Sequence, residues 1–206
     1  MVNKYDRFYE NKNLPRNLIG SSAVLLSLFF LFFSWPQTTV VIISIYFIIA
    51  CTTDTLSSKI PNTLNAGLTI FGLAMFFCQF GWLGFLVGFT GLVIGFCLLL
   101  LPWLMGGMGA GDVKALGAIG ALLGPEPVFQ VFLYTGLYGG LLAILHYLFA
   151  RNIKDKTSEW LDSFKATVLT KDPAMIIPTT TEPLRFPYAA AIAFGYYTYL
   201  IYGGVL

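Results

Sequence analysis

Long apolar runs separated by short polar or Gly- and Pro-containing breaks occupy most of this chain, at 18–35, 38–53, 64–80, 82–103, 128–150 and 188–206. As helices rising about 1.5 Å per residue, runs of this length suit a hydrocarbon core ~30 Å thick. A shorter run at 108–123 is rich in Gly and Ala and ends at Gly124-Pro125-Glu126-Pro127. It barely reaches across such a core and counts as a seventh helix, short or tilted. The pattern predicts an all-α fold: a polytopic transmembrane helix bundle of about seven spans, forming one membrane-embedded domain over 1–206. No internal repeat, linker or second domain is visible.

Composition agrees with a bilayer environment. Hydrophobic residues make up 57% of the chain and charged residues only 11%, where soluble domains carry roughly 25% charged. The formal net charge of +2 is too small to point to nucleic acid, and none is expected as a partner; the lipid bilayer is. How the charges are distributed says more. With the N-terminus in the cytoplasm and seven spans, all 12 Lys and Arg fall on inner segments: the tail 1–17, Lys59, Lys114 and the loop 151–186. That is the asymmetry the positive-inside rule requires, and six spans would place the last basic loop outside. A multi-pass protein of the cell membrane is therefore expected. The tail is mixed in charge and no small-residue cleavage site follows the first apolar run, so that run reads as a retained helix. Trp160, Leu161, Phe164 and Val168 recur at helical spacing among the charges of 151–186, as in a helix lying on the inner surface. Cys51, Cys78 and Cys97 sit within apolar runs as packing residues. No disulfide framework, zinc site, other metal site or cofactor is indicated.

Outside the tail and the long loop the remaining ionisable side chains are Asp54, Lys59, Asp112, Lys114, Glu126 and His146. Charges beside or within spans are costly and usually serve function. Asp54 and Asp112 fall on the same membrane face, at the inner ends of different helices. Two carboxylates brought together from separate elements are what aspartic proteolysis needs: one takes a proton from water while its protonated partner polarises the scissile carbonyl. Asp112 is expected at the N-terminal end of a helix, Asp54 at the carbonyl end of another. Glycines 106, 107, 109 and 111 precede Asp112 and permit close approach or unusual dihedrals. Ile60-Pro61-Asn62 follows Asp54, and Pro61 forces the chain out of helix before the next span. Asn62 is expected to cap that span, Lys114 to reach the headgroups, His146 to be a packed or interfacial residue, and Glu126 to be an exposed turn residue.

An Asp followed six residues later by Ile-Pro-Asn, then Gly109-Ala110-Gly111-Asp112 with Val113-Lys114, resembles the type IV prepilin peptidase family. The resemblance runs from about residue 38 to the C-terminus, including Phe186-Pro187-Tyr188. It implies that Asp54 and Asp112 are the catalytic pair, supported by the motif residues Ile60, Pro61, Asn62, Gly109, Gly111 and Lys114. The implied activity is intramembrane aspartic endopeptidase cleavage, at the cytoplasmic membrane face, of the leader of prepilin, pseudopilin or similar precursors. Only Lys59 is basic between the first Asp and Ile-Pro-Asn, where the family often has more. Ala189-Ala190 stand where a second proline commonly follows Pro-Tyr. The chain has no insert bearing two CxxC pairs, so it resembles the short peptidase-only form. A small transporter or channel that uses the acidic pair for ion coupling is the alternative. Against it, the pair lies at one face and not at the midplane, and there are no paired broken spans in matching halves.

Overall fold

The computed structural model describes residues 4–34, 37–104, 108–149 and 188–204. Among these residues it is all helix: α1 (Lys4–Phe33), α2 (Thr38–Ser57), α3 (Asn62–Leu104), α4 (Ala110–Leu123), α5 (Pro125–Phe149) and α6 (Tyr188–Tyr202). The loop 151–186 with its candidate surface helix, glycines 106 and 107, and the side chain of His146 lie outside the described residues.

Each break follows from local chemistry. Helix α2 ends at Ser58, which takes the left-handed conformation (φ 53°, ψ 33°) and returns its N–H to the Asp54 carbonyl. Pro61 then opens α3, its carbonyl accepting from the amides of Leu64 and Asn65. Gly81 (φ 62°, ψ −144°) splits α3 into two limbs. They run antiparallel, since Gly84 and Gly88 lie against Phe76 and Leu73 across the turn. The separate runs at 64–80 and 82–103 are these limbs. Gly124 (φ 89°) ends α4, a conformation that a side chain would strain. Helix α1 begins well inside the segment expected to be a tail, at Lys4.

Helix α4 is the centre of the molecule: Asp112, Val113 and residues 115–122 are all buried. Its neighbours come close because they are small. Gly91 and Gly120 face one another so tightly that a methyl group on either would strike the other's carbonyl, and Gly72 and Gly95 sit nearly as close to the α4 backbone. Small residues allow this approach between helices in lipid, where dispersion contacts replace the hydrophobic drive. A second cluster joins α1, α2 and α6 through aromatic rings. Phe30 stacks on Tyr197 at 4.5 Å, and Phe47 meets Tyr196 and Tyr197. The Tyr197 hydroxyl is satisfied by donating to Ser44 Oγ at 3.0 Å. Outward faces carry large apolar side chains such as Phe71, Phe80, Trp82, Leu83 and Leu137, as a lipid-facing surface would.

Among the described residues three helical segments are long and apolar enough to cross a membrane: residues 16–33 of α1, α2, and α3. Helix α4, with 14 residues, rises only about 21 Å. Residues 115–122 are all buried, so most of the helix packs on protein and has no need to match the bilayer thickness itself.

Candidate active site

Asp54 lies in the last turn of α2, one turn before the left-handed Ser58. Asp112 lies in the first turn of α4. Both are buried, each only 7% exposed, and the two carboxyl groups are close enough for Asp112 to feel the charge of Asp54. The folding of α2, α3 and α4 thus brings the two sequence-predicted carboxyls to one end of the bundle.

The local backbone holds each of them. Gly109 precedes α4 in extended conformation (φ −81°, ψ 149°). Its N–H donates to Asp112 Oδ2 at 3.1 Å while the Asp112 amide donates to the Gly109 carbonyl at 3.1 Å. This reciprocal cap satisfies two groups that a helix start leaves unpaired. Asp54 is served differently. The backbone N–H of Ala189, in the first turn of α6, donates to its carboxyl. The expected contrast between the two helix ends is therefore incomplete: Asp54 closes α2, but it also faces the N-terminal end of α6. Among the described residues, Asp54 Oδ2 is one of two buried side-chain polar atoms with no hydrogen-bond partner.

The supporting motif residues join the two halves of the site. Ile60 is buried against Gly111, where a β-carbon would come within 3.4 Å of Ile60 Cβ. Lys114 Nζ donates to Asn62 Oδ1 at 3.0 Å, so these two side chains bind each other. That corrects the expectation for Asn62, whose oxygen is engaged across helices and does not cap α3, while Lys114 is exposed. Pro61 is exposed and acts through its backbone, starting α3. Glu126 is exposed, as expected of it, but stands in the first turn of α5.

Several residues at the site were missed by sequence reasoning. Tyr46 Oη donates to Asn65 Oδ1 at 2.7 Å, and Asn65 Nδ2 donates to the Gly111 carbonyl at 3.2 Å. Both side chains are buried, and the chain of bonds ties α2 and α3 to the residue just before Asp112. Arg16 of α1 reaches Ser58 Oγ with Nη1 at 2.8 Å. Asn65's place one turn after Asn62 was the available hint; Arg16 offered none. Beside the Lys114–Asn62 bond a cleft of about 320 Å³ opens between α3 and α4, lined by Asn65, Thr69, Leu92, Phe96 and Gly117. Among the described residues no group of three His, Cys, Asp or Glu gathers as a metal-binding cluster.

The family model described as the type IV leader peptidase family matches residues 41–144, just over half of the chain and the whole stretch from Asp54 to Asp112. No curated protein and no solved structure matched.

Proposed function

Because this chain belongs to the type IV leader peptidase family, and is therefore a peptidase of a membrane setting, we propose that it is an aspartic endopeptidase in which Asp54 and Asp112 are the catalytic pair. Its substrates on this reading are prepilin or pilin-like precursors, cut at the cytoplasmic face of the cell membrane by a seven-span protein with its N-terminus inside. The observation that carries the reading is that two buried carboxyls from separate helices lie at one end of the bundle, where Ile60 packs on Gly111 and Lys114 bonds Asn62.

The chemistry needs no other group. One carboxylate takes a proton from a water molecule as the water oxygen bonds to the scissile carbonyl carbon. The protonated partner donates to the carbonyl oxygen, giving a neutral tetrahedral diol. The diol then collapses to the acid as the C–N bond breaks: the leaving nitrogen takes up a proton from the carboxyl that first received one, and a diol hydroxyl returns its proton to the partner carboxylate, which restores the starting pair. Burial keeps bulk water away, and the caps at Gly109 and Ala189 hold both groups without rotamer search.

The test is co-expression with candidate pilin-like precursors, scored by loss of the leader and N-terminal sequencing of the product. Asp54→Asn and Asp112→Asn are each expected to abolish cleavage while the protein still inserts. An Asp112→Asn protein that cleaves at the wild-type rate would remove that residue from the site. Failure of the inserted wild type to cut any pilin-like precursor would defeat the substrate assignment.

A further inference from the structure

Helix α1 precedes the family-matched segment, yet one of its side chains reaches the site. Its course is set by a close contact: a β-carbon on Gly20 would collide with the Thr55 hydroxyl, so α1 lies directly on the last turns of α2. One turn before Gly20 stands Arg16. Its Nη1 donates to Ser58 Oγ, and Ser58 is the non-glycine residue with positive φ among the described residues. The left-handed region is disfavoured for a residue with a β-carbon, by about 1–2 kcal/mol. The cap it forms is returned to the Asp54 carbonyl, so whatever fixes Ser58 also fixes the backbone of Asp54.

Charge adds to this. The Arg16 guanidinium interacts electrostatically with the Asp54 carboxyl. Arg16 Nε and Asp54 Oδ2 are also the two buried polar atoms without partners among the described residues, one a donor and one an acceptor. The other groups facing Asp54 are Cys51 on its own helix, the Ala189 amide of α6 and the Asp112 carboxyl of α4. Arg16 is the cation among them.

We infer that Arg16 is a positioning residue for the acidic pair: through Ser58 and through its charge it holds Asp54 in its working orientation, making α1 a functional part of the peptidase. The inference rests on the function proposed above. A guanidinium can bond Ser58 through one nitrogen while directing another along the same plane, which a lysine does only in part.

The experiment compares Arg16→Gln, Arg16→Lys and wild type in detergent or proteoliposomes, with melting temperature measured alongside cleavage of a fluorogenic leader peptide. Arg16→Gln is expected to lower kcat by about tenfold to a hundredfold, the range of a lost charged hydrogen bond, with KM within about twofold because substrate binding is untouched. Arg16→Lys is expected to recover a substantial part of kcat. The second readout needs no substrate: the infrared carboxyl band assigned to Asp54, by its loss in Asp54→Asn, shifts in Arg16→Gln and moves back in Arg16→Lys. Should the wild type cleave nothing, the proposed function fails while the infrared band still decides the role of Arg16. A normal kcat with an unmoved band in Arg16→Gln overturns the inference. So does an equal loss in both variants that follows a lowered melting temperature with the band unmoved, because Arg16 would then serve the fold alone.

Discussion

The polar side chains that matter most at the site are those with least freedom. Asn65 spends its oxygen on Tyr46 and its amide on the Gly111 carbonyl, and both side chains are buried. Replacing Asn65 with Leu strands the Tyr46 hydroxyl, at a cost of about 1–3 kcal/mol, and also removes the side-chain bond to the Gly111 carbonyl. Tyr46→Phe strands only the Asn65 oxygen and is expected to cost about 1 kcal/mol. Thermal unfolding in detergent should rank the two in that order, with cleavage falling further in Asn65→Leu because Asp112 adjoins the released carbonyl. Equal melting temperatures for both variants would remove Asn65 from the role of a tie. The acidic pair itself was legible in the sequence, since a charge next to an apolar span costs too much to be casual. Tyr46, Asn65, Arg16 and Ala189 were not, because their meaning depends on partners that only the folded chain brings near. Arg16 and Ser58 are 42 residues apart.

Among the helices, the breaks were the most readable features. Gly81, Pro61 and Gly124 mark turns through their backbone chemistry, and the structure turns at each. The contact of α3 with α4 was not readable, because a glycine at a helix interface and one facing lipid look the same in a sequence. The structure separates them. A methyl group at Gly91 or Gly120 meets the opposing carbonyl, whereas at Gly67 or Gly136 it meets nothing within 4 Å. Gly91→Ala and Gly120→Ala are therefore expected to destabilise the bundle by about 1–3 kcal/mol, as overpacking does. Gly67→Ala and Gly136→Ala are expected to be neutral or to stabilise slightly, since alanine favours helix over glycine by roughly 0.5–1 kcal/mol. Melting curves of the four variants would check this, and no difference between the two pairs would contradict the close approach of α3 and α4.

At the scale of the whole molecule the two ends of the bundle are chemically distinct. Lys59, Ser58, Gly109 and Asp112 gather at one, while Gly81, Gly124 and Glu126 belong to the other. The seven-span topology proposed above would assign the first end to the cytoplasm. In a background with the native cysteines removed, Glu126→Cys is expected to react with a membrane-impermeant thiol reagent on intact cells. Lys59→Cys is expected to react only after permeabilisation; both positions are exposed. The reverse pattern would invert the orientation and move the proposed cleavage to the outer face. Long apolar runs made the helical class readable from the start. The extension of α1 back to Lys4 was not, because a mixed-charge segment has no periodic stripe to announce a helix.

The encasement of α4 has a consequence for how the enzyme would wear out. Residues 115–122, which begin one turn after Asp112, should be last to exchange their amide hydrogens, while Asp54 sits in the last turn of α2 beside α1. Proteins open locally at such ends at a fraction of their global stability. Heating or mild denaturant would then part the two carboxyls before the bundle loses its helices. Inactivation should precede the fall in helical ellipticity, with protection lost at 54–58 while 115–122 stays closed. Coincident inactivation and unfolding would mean the two halves of the site open as one unit.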